Sequence, residues 1–352
     1  MPTPRQPSLP APEGAAPPAQ ARSVMAPGEL ASVCAFYELG AVRTVYAFNR
    51  GSRQSPKAIL ETERGKFLIK RRARGRDDPA RVASSHDLQL FLHAAGFPTP
   101  AIVGTLHGNN SMAQLDGRVY EVFAFVEGEA FDRTPGPCED AGRQLARLHA
   151  LVRGYRSRWP SPAWSAGQHD RVAEQLGEIA ARGVAGPDAS RLRAHFDRLR
   201  PGLAFAGEPQ MLHADWHPGN MVFRGGSVAA VLDFDGARLG PVLLDIASGA
   251  LQFSMTRVGV NPDDWPDGLD AHRFAAFLHG YGPEALGAGL GSLPAMMGAA
   301  LVGEVAAPVA ATGRFAGRDP GPFLRMVCRK TAWLAENASK LEALAVRAAR
   351  GG

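Results

Sequence analysis

A stretch around residue 220 constrains the fold of this 352-residue chain more than any other. It reads Met211-Leu212-His213-Ala214-Asp215-Trp216-His217-Pro218-Gly219-Asn220, runs on through Met221-Val222-Phe223, turns at Gly225-Gly226 and returns along residues 228–232 to Asp233-Phe234-Asp235. Paired glycines between short β-prone runs specify a tight hairpin. A hairpin folds the chain back on itself. Asn220, just before the first arm, and Asp233, just after the second, must then lie side by side. Asp215, at the far end of a tight Pro-Gly loop, faces the same point. Two carboxylates and an amide therefore surround one small volume.

The rest of the chain divides around this island. Residues 1–26 are rich in Pro, Ala and Gly with almost no large apolar groups, which predicts a disordered tail. Over 27–127 the pattern is mostly extended: Thr44–Phe48, Ala58–Thr62 and Lys66–Lys70 are β-prone. A helix with Leu88, Phe91, Leu92 and Ala95 on one face ends at Gly96, and two further strands are expected at Gly117–Glu121 and Val122–Val126. One helix over a five-stranded meander makes a small α+β lobe. From 128 to 352 helices dominate. Asp140 is positioned to cap one of them, others are expected near 170–182, 188–199, 271–279 and 295–312, and a long apolar stripe runs from Phe323 to Leu344.

Composition narrows the class. Hydrophobic residues at 45% and charged residues at 21% are a globular balance. The net charge of +5 is modest, and the one dense basic run, Lys70 to Arg76, reads as a solvated strand end, so nucleic acid is not an expected partner. Three widely spaced cysteines suit a reducing compartment. With no run of about 18 apolar residues and no secretory core at the N-terminus, the expectation is a cytoplasmic protein without a membrane span.

Oxygen ligands such as Asn220 and Asp233 suit Mg2+, a hard cation that leans on substrate phosphates. Phosphoryl transfer needs such a metal grip and a second carboxylate to accept the proton of the attacking hydroxyl. At this point the sequence resembles a known family. His213-Ala214-Asp215, four residues, then Asn220 fits the catalytic loop of the protein-kinase fold, and Asp233-Phe234-Asp235 stands where that fold holds its metal, with Asp235 in place of the usual Gly. The form HADWHPGN is similar to the aminoglycoside phosphotransferases, choline kinases and fold-related homoserine kinases. Asp245-Ile246-Ala247 and the helix Gly142–His149 also resemble that family.

The resemblance implies a two-lobed α+β fold of protein-kinase type, with ATP and Mg2+ in the cleft and a small-molecule alcohol as acceptor. It implies Asp215 as general base, Asn220 and Asp233 as metal ligands, and His213 and Asp245 as braces of the loop. In the small lobe it implies Lys70 on the ATP phosphates, a phosphate-covering loop at Gly51, Ser52 and Ser55, and a hinge at Phe125 and Val126 facing adenine. Asp235 and Glu304 are candidate acceptor contacts. The helix that should supply a glutamate to Lys70 has none, so His86 or Asp87 takes its place or Lys70 is held otherwise. Two rivals follow from the same residues: a nucleotide-binding scaffold with little turnover, and a metal hydrolase using His213, Asp215 and His217.

Overall fold

The computed structural model describes residues 23–48, 54–203, 208–282 and 289–349. A short helix α1 (Pro27–Cys34) precedes three strands, β1 (Val42–Ala47), β2 (Lys57–Thr62) and β3 (Gly65–Arg71), then α2 (Pro79–Ala94), β4 (Ala113–Leu115) and β5 (Arg118–Ala124). The strands form one antiparallel sheet in the order β1-β2-β3-β5-β4. The two strands expected over 117–126 are a single one, because nothing between Glu121 and Val122 can turn the chain. The turn lies at Asp116-Gly117, where both residues have positive φ (50° and 66°), and it joins β4 to β5. The sheet buries its own small core of Leu60, Ile69, Tyr120 and Val122 against Val33 and Tyr37. The tail expectation reached to residue 26, yet Met25 packs on this core and the Ser23 hydroxyl accepts a hydrogen bond from Arg71 at 2.5 Å. Residues 1–22 lie outside the described residues.

The second lobe comprises α3 (Pro135–Leu151), α4 (Gly167–Ala181), α5 (Pro187–Leu199), β6 (Gln210–Leu212), the hairpin β7 (Met221–Arg224) and β8 (Ser227–Val231), and β9 (Arg238–Gly240). These are followed by α6 (Leu243–Ser254), α7 (Ala271–Tyr281), α8 (Leu293–Thr312), α9 (Gly321–Glu336) and α10 (Ala338–Ala349). Helix α3 starts at Pro135, a residue suited to a first helical turn. Asp140 is therefore inside the helix rather than its cap, and its Oδ2 accepts the Val228 N–H at 2.7 Å, fastening the hairpin to α3. The stripe from Phe323 to Leu344 is two helices, α9 and α10, broken at Asn337. The stretch 289–312, which ends in α8, is long and apolar enough to cross a membrane; most of it is buried within the fold, where α8 packs on α4, α6 and α9.

Helix α2 belongs to the small lobe by sequence but to the large lobe by packing. Leu88, Leu92 and Phe97 lie in the same core as Leu145, Leu148 and Trp216. Hydrogen bonds reinforce this seat: Val231 N–H to Pro98 O at 2.8 Å, and Arg147 to Gly96 O at 2.9 Å. Asp87 accepts from Tyr155 Oη at 2.6 Å, Ser157 Oγ at 3.0 Å and the Arg158 N–H at 3.2 Å.

Candidate active site

The catalytic loop is held from beneath by one carboxylate. Asp245, fully buried at the start of α6, accepts the His213 N–H at 2.9 Å and the Ala214 N–H at 2.7 Å. These two bonds hold Ala214 at a φ of 61°, which an alanine adopts only under such constraint. His149 on α3 reaches the same carboxylate at 3.3 Å and is oriented on its other side by Tyr281 Oη at 3.0 Å. Burial pushes the Asp245 carboxyl up, but the bond from His149 and the charges and donors around it outweigh this and hold it below the usual carboxylate range. His213 is equally buried. Its Nε2 lies 3.0 Å from the Leu232 carbonyl and its Nδ1 accepts the Asp215 N–H at 3.2 Å, which together put the proton on Nε2. His213 and Asp245, expected as braces, are the residues that make these bonds.

The hairpin brings the expected ligands together. Leu232 N–H donates to Asn220 O at 2.8 Å, so the start of β7 and the end of β8 are tied where the site lies. Asn220 donates to Asp215 Oδ2 at 2.8 Å and to Asp215 O at 3.0 Å. His217 Nε2 stands 3.4 Å from Asp215 Oδ1. Asp215 is half-exposed to solvent. Burial alone raises its carboxyl, but the hydrogen bond and charge of His217 leave it lowered and ionised. Asp233 has a left-handed backbone (φ 62°, ψ 68°) that turns its carboxylate into the cleft, 3.5 Å from Lys70 Nζ. His213 is spent on the loop itself, and among the described residues no cluster of three His, Cys, Asp or Glu could hold a metal. The hydrolase arrangement is therefore not present there.

Of the expected alternatives for Lys70, the structure matches the one in which it is held otherwise. Neither His86 nor Asp87 pairs with it: Asp87 ties α2 to the 155–158 segment. One of its partners is Glu121, directly across the β3–β5 ladder and fully buried, with Lys70 Nζ 3.7 Å from Glu121 Oε2. Arg72 grips both oxygens of Glu121, at 2.9 and 2.7 Å, and His86 approaches Oε1 at 2.6 Å. Arg72, expected to be solvated, is buried. Burial pushes Glu121 up and Lys70 down. The lysine and Arg72 nevertheless hold Glu121 well below the carboxylate range, and Glu121, Asp235 and Asp233 hold Lys70 above the amine range. Asp235, expected against the acceptor, instead bridges Lys70 at 2.9 Å and Arg72 at 2.6 Å, on the nucleotide side.

A cavity of about 210 Å3 opens between the sheet and the hairpin, lined by Leu68, Lys70, Phe123, Val126, Met221 and Asp233 among others. Phe125 and Val126 border it as the hinge expectation requires, with the Phe125 N–H taken by Lys66 O at 2.9 Å. Ser55 is buried beside Lys70, Arg72 and Asp233 in a smaller adjoining cavity. Gly51 and Ser52 lie outside the described residues. Glu304 lies close enough to Asp215 to feel its charge, and its carboxylate accepts from Gln252 Nε2 at 2.7 Å. Sequence reasoning missed Glu121 and Arg72, whose roles depend on strand register. It had included His149 in a family-like helix without giving it a role.

Comparison with known proteins agrees with this geometry. Residues 46–293 match the model of the Phosphotransferase enzyme family. A homoserine kinase of Pseudomonas aeruginosa is 30% identical over 273 residues, covering 74% of this chain and 78% of that protein. A homoserine kinase of Phenylobacterium zucineum is 28% identical over 225 residues, covering 58% of this chain and 62% of that protein. Among solved structures, a microcompartment-associated aminopropanol kinase superposes with a TM-score of 0.67 at 14% identity, covering 88% of this chain and 97% of that one. A choline kinase from Cryptosporidium parvum superposes with a TM-score of 0.60 at 11% identity, covering 89% and 95%. The likeness to these structures establishes the two-lobed protein-kinase-like fold. With the loop, the hairpin and the cleft in place, the chain belongs to the Phosphotransferase enzyme family and is a small-molecule kinase that acts on a hydroxyl.

Proposed function

We propose that this kinase moves the γ-phosphoryl group of ATP, with Mg2+, to the hydroxyl of a small amino alcohol in the cytoplasm. The observation that carries the reading is that Asn220, bonded to Asp215 at 2.8 Å, lines one cavity with Asp233 and Lys70, which stand 3.5 Å apart. The donor set fits a hard cation: one amide and one carboxylate, Asn220 and Asp233, leave several positions for water and phosphate oxygens. Mg2+ held there would neutralise charge on the phosphates. Lys70, kept charged by Glu121, is aimed to grip the same phosphates, and the cavity beside Phe125 and Val126 takes the adenine. Asp215 orients the acceptor hydroxyl and takes its proton as the O–P bond forms, while ADP departs with the electron pair of the broken bond. Nothing covalent passes through the protein, so rate comes from positioning and charge.

Glu304, close enough to feel the Asp215 charge, supplies a negative site for an amine on the acceptor. Homoserine, named for the relatives above, is one such amino alcohol. The scaffold reading took its motive from a missing partner for Lys70, and Glu121 removes that motive. Incubating the protein with ATP, Mg2+ and a panel of small alcohols, and following ADP and phosphorylated product together, tests the proposal. Transfer to an amine-bearing alcohol that stops on chelation of Mg2+ is expected. ATP binding with no transfer to any member of the panel would count against it.

A further inference from the structure

Asp235 holds two cations of the small lobe at once. Its Oδ2 accepts from Lys70 Nζ at 2.9 Å, closer than Lys70 stands to Asp233 (3.5 Å) or Glu121 (3.7 Å). Its Oδ1 accepts from Arg72 Nη2 at 2.6 Å, while Arg72 closes on Glu121 with two bonds of 2.7 and 2.9 Å. The lysine aimed at the phosphates therefore has a large-lobe carboxylate as its nearest partner. The two cations differ in freedom. Lys70 carries its charge on a flexible stem and can turn from one oxygen to another, whereas the buried Arg72 is fixed by its fork on Glu121 and by its own N–H to Val119 O at 2.9 Å. The turn that carries Asp235, Phe234–Gly236, follows Asp233 directly. It rests on the loop of Asp215: the Phe234 ring lies 4.8 Å from the His213 ring, and a β-carbon on Gly236 would stand 3.3 Å from the His213 carbonyl.

We propose that Arg72 and Asp235 form a latch between the lobes, in which Arg72 keeps Asp235, and with it the turn of Asp233, in place when Lys70 leaves Asp235 for the phosphates. Arg72 is then a positioning residue: it acts on nucleotide and metal through Asp235 and touches neither. This deepens the kinase reading of the cleft and rests on it. Without Arg72, the partly buried Asp235 would keep Lys70 as its one close cation and compete with the phosphates for it. Removing the charge of Asp235 as well releases Lys70, so the second substitution reverses the loss caused by the first. Residues that only pack give losses that add.

The test measures AMP-PNP binding to the full chain by calorimetry, once with Mg2+ and once with EDTA, beside the denaturant unfolding of each variant. In EDTA, Arg72→Met should weaken binding at least about tenfold, Arg72→Lys should keep part of the affinity, and Arg72→Met with Asp235→Asn should return to within about threefold of wild type. Arg76→Met, which removes the same charge from the rim of the adjoining cavity, should stay within about threefold of wild type. Asp235→Asn alone leaves Arg72 on Glu121 and serves if Arg72→Met does not fold. It should bind AMP-PNP in EDTA at least as tightly as wild type, yet gain at least about threefold less from Mg2+, because Asp233 has lost its tether. Losses that add in the double variant, an equal loss in Arg76→Met, or a wild-type Mg2+ gain in Asp235→Asn would overturn the latch. So would a Mg2+ gain lost in Asp235→Asn but intact in Arg72→Met, which would make Asp235 a direct ligand. A wild-type protein that binds no AMP-PNP would remove the kinase reading and this inference with it. One that binds AMP-PNP and phosphorylates an alcohol, but shows additive losses, keeps that reading and loses only the latch.

Discussion

Glu121 carries the heaviest electrostatic burden of any single side chain in the cleft. It is fully buried and faces Lys70, Arg72 and His86 at once, so its own charge cost is offset only while all three stay in place. Replacing it by glutamine leaves two buried cations short of an anion. Glu121→Gln should cost about 3–5 kcal/mol in denaturant unfolding and raise the KM for ATP; wild-type stability and KM would contradict this account. This residue could not be read from the sequence. Its partner lies about fifty residues away, and only the register Lys70↔Glu121 joins them. Asp215, Asn220 and Asp233 were legible because a tight loop and a Gly-Gly hairpin fix their relations locally. Glu304 shows the opposite economy. Loss of solvation pushes the carboxyl above its usual 4.5, with the bond from Gln252 pulling the other way. The native state therefore binds more protons than the unfolded chain, and this contribution to stability is full below 4.5 and lost as pH rises through the folded value. Glu304→Gln should accordingly gain melting temperature relative to wild type as pH goes from 4 to 7, while weakening acceptor binding. A difference in melting temperature that does not change with pH would show that the side chain is not so placed.

Between elements, α3 and α7 cross with their backbones close together. A β-carbon on Gly142 would collide with the Phe277 carbonyl, and one on Gly280 with the Glu139 carbonyl, backbone atoms that cannot swing aside. The crossing places His149 and Tyr281 on each other and, through His149, on Asp245. Gly280→Ala should therefore destabilise by roughly 1–3 kcal/mol and also lower kcat, because the brace of the catalytic loop shifts with the helices. Measuring unfolding and turnover on one preparation separates the two, and a fully active, fully stable variant would show that the helices can part freely. Element types were mostly legible, since hydrophobic spacing and turn residues are local signals. Boundaries were less so: one strand was divided in two although Asp116-Gly117 marked the true turn, and Asp140 was placed at a helix start that Pro135 already supplied. Capping residues inside helices carry no local mark of the partner they serve, here the Val228 N–H.

At the scale of the molecule, the two lobes share more than a hinge. Helix α2 sits in the large-lobe core, and Asp87 fastens it to the 155–158 segment. This explains why the sheet brings its own glutamate to Lys70: a helix seated on the other lobe serves as a wall through His86 rather than as the donor of the ion pair. Asp87→Ala should loosen that seat, raising the KM for ATP more than it lowers kcat; an unchanged KM would indicate that the lobes are held by the apolar core alone. The lobe assignment of α2 was not legible because its apolar face fits either lobe equally well, and only packing decides. In the proposed mechanism this architecture serves one proton transfer, at Asp215. Asp215→Asn keeps the size of the side chain and much of its hydrogen bonding but removes the base. The expected result is a folded protein with near wild-type melting temperature and ATP affinity whose kcat falls by about 10²–10⁴-fold. A stable Asp215→Asn protein that phosphorylates its acceptor at close to the wild-type rate would contradict it.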